Sequence, residues 1–509
     1  MLIQKFLNLS FINILIKFFG YVRDMIVAFF FGTSVKSEIF FSMLELQNLF
    51  TIFVHPLNFE KNFINIYLNL KLKLKNLQYL FAKSIFIFFS IILIFVGILV
   101  LYNLESVLSV FYPGFVDRID FVYFENVIQP IIIFNIFNFI FVFLSSILQS
   151  ERKLILNSIC LLLPNLFFVI YGLIIYSYFE FNLLIDFFGL FLIFTSCTQI
   201  LIVIFFGNLE LKKILLYKTK FEEIKKYNQY FFKDYSYSFY YLICFKMFFV
   251  IKSYFLSYFP GYISYFYFSE RLVYLPSTIL TTALIVILLP ELIIIKKYFD
   301  NKKIVNFFLI GVKISFFVMI PLTLFIYLNA EIIIKILFLR GEFDNNSVII
   351  ISRIFKVESV SFVFLSLISV FYIFFIFLKK HKILLQGIFF SILLTTLLMY
   401  LFAFYKKPEF FAYSFIFYNI FQTSYSLYYF NAKYQKVFWN FINKIKNPVF
   451  MLIFSTFIIH FFSNFFDLND FNILILSTFG FLMLIFLFIG KYKDKDINAF
   501  LSLIKNKIK

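Results

Sequence analysis

The sequence predicts an all-α integral membrane protein with about fourteen transmembrane helices, and three observations carry that prediction. Of the 509 residues, 62% are hydrophobic and 14% charged, for a mean hydropathy of +0.94, more apolar side chain than a soluble domain can cover. Apolar runs of the ~20 residues needed to cross the hydrocarbon recur from end to end, with no long soluble insertion. Lysines collect in every second connection, as they do on the cytoplasmic side of a polytopic protein. The two-residue alternation of an outer-membrane strand is absent.

Run length places the spans at about 8–31, 37–58, 78–102, 121–149, 155–178, 182–206, 235–259, 262–290, 306–328, 349–378, 383–404, 411–432, 448–466 and 471–490. The second is interrupted by His55, Pro56 and Asn58. Lys71, Lys73 and Lys75 follow the second span, Arg152 and Lys153 the fourth, a run from Lys212 to Lys226 the sixth, and Lys296 to Lys303 the eighth. Lys379, Lys380 and Lys382 follow the tenth, Lys433 to Lys446 the twelfth, and a tail from Lys491 to Lys509 the last. The opposite connections hold residues 103–120, Glu180, Pro260, the loop with Glu331, Arg340, Glu342 and Asp344, and FFDLND at 465–470, with Lys406 and Lys407 the main exception. Both termini are therefore expected in the cytoplasm. The N-terminus has no small-residue cleavage signature, so its charged helix is expected to remain in the fold.

A net charge of +19 does not point to nucleic acid, because the lysines sit in short blocks between apolar spans and not on one basic face. Cys160, Cys197 and Cys244 lie in separate apolar segments, which supports neither a disulfide framework nor a zinc site. With no Gly-rich phosphate loop and no nucleotide-binding segment, the chain is not a primary ATP-driven pump, and no cofactor is expected. His55 reads as an interfacial polar residue, His381 belongs to the basic run KKHK, and His460 stands alone on an apolar span, so membrane acyl transfer has little support. The abundance of Phe (88) and Tyr (34) against Gly (13) and Trp (1) is a bias an AT-rich genome would produce.

Ionisable residues inside the spans are the candidate functional groups, since each costs at least ~2.5 kcal/mol near the bilayer centre and normally faces water or a partner. The first span carries Lys17, Arg23 and Asp24, and the second Glu38 and Glu45. At 100° per residue, Lys17 and Asp24 nearly superimpose and Arg23 is displaced by about 120°, so the three cover one broad side. The eighth span carries Glu270 and Arg271 close to Pro276, which frees backbone groups. An arginine fork donates two parallel bonds to phosphate oxygens, and two such residues from two helices would make an anion clamp. An ion pair that includes Glu270 and Arg271 is the alternative. Lys246 lies midway along the seventh span, with Lys252 nearer its outer end, and either adds positive charge to a cavity or pairs with an intramembrane acid such as Glu45 or Asp186.

These residues lie within stretches that resemble a known family. FFGYVRDMIVAFFFGTSVKSEIFFSMLELQNLF (18–50) is similar to the opening of the MurJ/MviN family, the lipid II flippases of the MOP (MATE-like) superfamily. Further similarity occurs at SSILQSERKLILNSICLLLPN (145–165), YFYFSERLVYLPSTILTTALIVILLPEL (265–292) and LFLRGEFD (337–344), in order along most of the chain. The resemblance implies a two-lobe bundle plus two extra C-terminal helices: an N-terminal lobe over 1–220, a C-terminal lobe over 221–440, and residues 441–509 as two added helices with a basic cytoplasmic tail. It places Arg23 and Asp24 on the family's R-D pair, Lys17 on its first arginine, Glu38 on its aspartate and Arg271 on its eighth-helix arginine, around a cavity for the diphosphate of a lipid-linked peptidoglycan precursor.

The implied activity is flipping of that precursor, lipid II, across the bacterial cytoplasmic membrane by alternating access, without enzymatic chemistry. The implied partners are the lipid-linked precursor, membrane lipids and proteins of cell-wall synthesis, with no nucleic acid; no residue pattern names a coupling cation. The chain departs from the family pattern at Thr51 and Ile52, which replace an arginine pair, at His55 to Phe59, at Glu45, where basic residues also occur, and at Tyr274, where an acid can stand. These changes lower the cavity's positive charge. The alternatives are a flippase for another polyprenyl-linked oligosaccharide, a MATE-like antiporter and a degenerate membrane protein without transport.

Overall fold

The computed structural model describes residues 2–55, 58–73, 77–178, 183–207, 224–297, 301–378 and 380–434, with single positions at 214, 472 and 478. The expected span at 448–466 and the tail lie outside the described residues, as does the span at 471–490 apart from positions 472 and 478. The chain divides into two compact units, Met1–Ile263 and Ser264–Lys509. Every regular element among the described residues is helical.

The first unit opens with α1 (Leu2–Phe31), closed by Gly32 at φ 53°, a left-handed conformation that glycine adopts without strain. It continues through α2 (Val35–Phe50), a single 3-10 turn (Thr51–Val54) and α3 (Phe59–Lys73). The second expected span is thus not one helix. At 16 residues α2 is only ~24 Å long, short of the ~30 Å hydrocarbon, and the chain leaves helical geometry before Pro56. Next come α4 (Leu77–Tyr102), α5 (Leu104–Phe111), a 3-10 turn at Pro113–Phe115 and α6 (Phe121–Ser150). Then follow α7 (Leu154–Tyr178), the short α8 (Leu183–Asp186), α9 (Phe188–Phe206) and α10 (Lys225–Leu256). α1 packs on α7, and α6 on α9, α4 and α3.

Rings dominate the core of this unit. Phe59 lies 5.7 Å from Phe63, 5.2 Å from Phe89, 5.9 Å from Phe139 and 6.1 Å from Phe231, which joins α3, α4, α6 and α10. Edge-to-face and offset pairs at such separations are each worth about 0.5–1.5 kcal/mol beyond area burial.

The second unit holds most of α11 (Tyr262–Lys297), then α12 (Asn301–Phe338), α13 (Asn345–Ser359), α14 (Ser361–Phe377), α15 (His381–Phe404) and α16 (Phe411–Tyr434). α12 packs on α13 and α14, while α16 packs on α15, α14 and α13. The tenth expected span is bent: α13 and α14 meet at 42°. The Ser361 hydroxyl donates to the Glu358 carbonyl at 2.6 Å, and the Val360 N–H to the carbonyls of Val357 and Glu358, so the last turn of α13 closes before α14 begins.

Seven helices among the described residues are long and apolar enough to cross a membrane, and the α13–α14 pair makes an eighth if it is one span. α1 has the length but concentrates Lys17, Arg23 and Asp24 in one short stretch. The chain is a multi-pass, all-helical membrane protein.

Candidate functional site

On α1, Arg23 Nε and Nη2 both donate to one oxygen of Asp24, at 3.0 and 2.7 Å. Neighbouring residues on a helix point about 100° apart, so the long arginine side chain curls round to reach its neighbour. Asp24 is 1% exposed and Arg23 partly buried, which makes this a charge pair set into the protein side of an apolar helix. Lys17, two turns earlier, is exposed. Asn165 of α7 donates to the Ile16 carbonyl at 3.2 Å, so a polar contact ties α7 to the helix beside Lys17.

The charges of α2 are organised by α10. Steps of 100° put Tyr235, Lys246, Ser253 and Ser257 within about 40° of one line along α10 and its C-terminal turn, and that line faces α2 and the segments on either side of it. Tyr235 Oη donates to the Phe53 carbonyl at 2.8 Å. Ser253 Oγ donates to Glu45 Oε2 at 2.6 Å, and Tyr112 Oη reaches the same oxygen at 3.2 Å. Lys246, between these anchors, lies within electrostatic range of Glu45 and of His55. The acid facing Lys246 is thus Glu45, while Asp186 accepts from Tyr123 at 2.5 Å.

Glu38 takes part in a different structure. It is 0% exposed, and Arg118 donates to it at 2.6 Å from the connection between α5 and α6. Arg118 also donates to the Ser257 carbonyl, and the Gly114 N–H donates to Ser257 Oγ at 2.9 Å. The N–H groups of Gly261 and Ile263 face the same Glu38 carboxylate. Glu38 therefore joins α2, residues 114–118 and the turn after α10, as a structural junction.

In the second unit, Arg271 is exposed, with its guanidinium 5.8 Å from the Tyr267 ring centroid, and Glu270 is half-buried. The acid set deepest near them is Glu358, 0% exposed at the end of α13. Ser269 Oγ donates to Glu358 Oε2 at 2.6 Å, and Tyr274 lies within electrostatic range of Glu358 and Tyr418. Phe268, one residue before Ser269, packs on Phe338 and Phe343 at 5.0 and 5.6 Å, which fixes α11 against the α12–α13 turn.

Of the candidates, Arg23 and Asp24 are brought together, Lys246 lies within electrostatic range of Glu45, and Glu38 is committed to Arg118. Arg118, Tyr112, Ser253 and Glu358 were not singled out from the sequence. Glu358 lies inside an expected span and was open to the same intramembrane-acid rule that marked Glu45. Arg118 sits in a connection, where a lone arginine carries no signal. No group of three or more His, Cys, Asp or Glu gathers among the described residues to hold a metal. Within the first unit α1 and α10 carry cationic groups, with the hydroxyls of Ser253 and Tyr112 beside those of α10, and within the second unit α11 carries Arg271; each is a chemistry suited to phosphate oxygens.

The sequence matches the family described as lipid II flippase MurJ over residues 27–479. It is 25% identical over 427 residues to the probable lipid II flippase MurJ of Buchnera aphidicola subsp. Acyrthosiphon pisum (strain APS), covering 78% of this chain and 77% of that one. It is 25% identical over 364 residues to the probable lipid II flippase MurJ of Aquifex aeolicus (strain VF5), covering 70% and 68%. Among solved structures, the fold is similar to a lipid II flippase MurJ in an inward closed conformation, with a TM-score of 0.76 at 18% identity over 96% of this chain and 99% of that one. It is also similar to an inward-facing multidrug resistance MATE family transporter of the MOP superfamily, with a TM-score of 0.65 at 12% identity over 81% and 92%.

Proposed function

Because the chain belongs to the lipid II flippase MurJ family, we propose that it moves the undecaprenyl-diphosphate-linked peptidoglycan precursor from the inner to the outer leaflet of a bacterial cytoplasmic membrane. The family is one of transporters, and no bond is made or broken in this reading. The observation that carries it beyond family membership is the Arg23–Asp24 pair, a guanidinium held in a fixed geometry on an otherwise apolar helix. With Nε and Nη2 turned to Asp24, a diphosphate would take the Nη1–Nη2 edge, whose parallel N–H groups suit paired phosphate oxygens.

In this reading Lys17, Arg23, Lys246 and Arg271 supply positive charge to the headgroup, and Asp24 and Glu270 orient the arginines. Glu38 contributes by holding the 114–118 segment to α2. Alternating access carries the headgroup across while the lipid tail stays in the bilayer. Both termini are cytoplasmic, residues 1–220 and 221–440 form the two lobes, and 441–509 supply two further helices and a basic tail. Movement of charge through the field is worth about 2.3 kcal/mol per elementary charge per 100 mV, so the membrane potential can bias the cycle. Shared MATE-like architecture is a statement about fold, and the family match favours the lipid-linked anion over an organic cation.

The test is complementation of a strain depleted of its lipid II flippase. The unmodified chain is expected to restore growth, and Arg23→Ala and Arg271→Ala each to lose it at equal expression. Growth that survives both substitutions would overturn the assignment of those arginines, and failure of the unmodified chain would overturn the transport reading.

A further inference from the structure

Glu45 is a carboxylate placed beside lysines in a protein whose proposed substrate is itself an anion. Around it, among the described residues, stand Ser253, Lys252 and Lys246 from α10 and Tyr112 from the end of α5. Lys252 is 3% exposed, with its ammonium 5.5 Å from the Phe249 ring centroid, so it does not reach out to a membrane surface. Glu45 borders a closed seam with Leu46, Leu49, Phe111, Tyr112, Val250 and Ser253. One acid therefore accepts from two hydroxyl donors and lies within electrostatic range of two ammonium groups, a set that would equally serve phosphate oxygens.

We propose that Glu45 is an internal competitor for this anion-binding set: with no substrate its carboxylate engages Lys246, Lys252, Ser253 and Tyr112, and a diphosphate gains them only as Glu45 gives them up. The inference rests on the diphosphate-lipid reading above and adds to it a residue that opposes binding. Geometry supports the exchange. Glu45 is on α2, and Ser253 and both lysines are on α10, so a change of partner releases the tie between these two helices and leaves Tyr235 bonded to the Phe53 carbonyl, just after α2, and Ser257 to the Gly114 N–H. The hydroxyls of Ser253 and Tyr112 rotate about single bonds and can turn from a carboxylate to a phosphate oxygen. Without that release, Glu45 and the diphosphate would stand as like charges in a site shielded from water, where repulsion is strongest.

The experiment titrates inorganic pyrophosphate into the full-length protein in phosphatidylcholine nanodiscs, comparing the unmodified chain with Glu45→Gln and Lys252→Gln. The glutamine keeps the size of the side chain and accepts the Ser253 and Tyr112 bonds through its carbonyl, and a melting curve checks the fold. Glu45→Gln is expected to bind on the order of tenfold more tightly, and Lys252→Gln on the order of tenfold more weakly. Binding by the unmodified chain with a folded Glu45→Gln variant no tighter than it overturns the inference and leaves the substrate reading standing. Should Glu45→Gln not fold, Lys252→Gln decides, and an unchanged affinity overturns the inference. An absence of pyrophosphate binding in the unmodified chain overturns the diphosphate reading, and the inference with it.

Discussion

Arg118 and Glu38, 80 residues apart in sequence, form a buried ion pair at 2.6 Å, and the same arginine holds the Ser257 carbonyl. One guanidinium thus fastens α2 to the turn that ends α10. Removing a single partner of such a pair leaves an uncompensated charge and typically costs about 3–5 kcal/mol. Arg118→Ala is expected to lower the melting temperature of the purified protein sharply. The double variant Arg118→Met/Glu38→Leu should recover most of the loss, since an apolar pair of similar volume removes both charges. A single variant that melts like the unmodified chain would show that the junction bears no load.

Gly114 stands where no side chain fits. A Cβ there would lie 2.3 Å from the Ser257 carbonyl oxygen and 2.4 Å from the Tyr258 nitrogen, both backbone atoms that cannot swing aside. Gly114→Ala should push the two segments apart and break the Gly114 N–H bond to Ser257 Oγ, at a cost of about 1–3 kcal/mol. Thermal melting measures that cost. Labelling of a cysteine introduced at Ser257 reports the opening directly, with faster modification expected when alanine occupies position 114.

Ser269 supplies a donor to the fully buried Glu358 carboxylate. Ser269→Ala removes it and should destabilise the second unit by about 1–3 kcal/mol. Glu358→Gln, which still accepts the hydroxyl through its carbonyl, should cost less. Equal melting temperatures for Ser269→Ala and the unmodified chain would exclude this bond as a contributor to stability.

The charge of the connections predicts an orientation that can be read independently. Reporter fusions at residues 110 and 220 are expected on opposite sides of the membrane, with 220 in the cytoplasm, because the run from Lys212 to Lys226 is basic and 103–120 is not. A cytoplasmic reporter at both positions would refute the map.

Long apolar helices were legible in the sequence because run length is what defines them. α4, α6 and α7 fall close to the spans expected at 78–102, 121–149 and 155–178. α3 was not legible by that rule. Its buried residues Phe59, Phe63, Tyr67 and Leu70 recur at helical spacing among asparagines and lysines, so it has no apolar run at all. Periodicity would have found it. The bend at Val360 was missed for a related reason: Ser359 and Ser361 do not lower the hydropathy of 349–378 enough to divide it.

For the site, the sequence supplied the charged residues but not their pairings. Arg23 and Asp24 are adjacent, so their contact could be anticipated. Glu38 with Arg118, and Glu45 with Ser253 across 208 positions, depend on how α2, α5 and α10 pack. That information is tertiary, and one chain read in isolation does not contain it. Lys246 was legible as a lysine midway along an apolar span, while the choice of Glu45 as its neighbour over Asp186 had to come from the fold.

The ring cluster around Phe59 has a consequence for how the first unit comes apart. A side chain that touches aromatic partners on three other helices makes those helices lean on a common centre, so none of them can peel away without exposing the rest. Heat or detergent should therefore melt α3, α4, α6 and α10 in one sharp step, and a leucine at position 59 should blur that step as well as shift it.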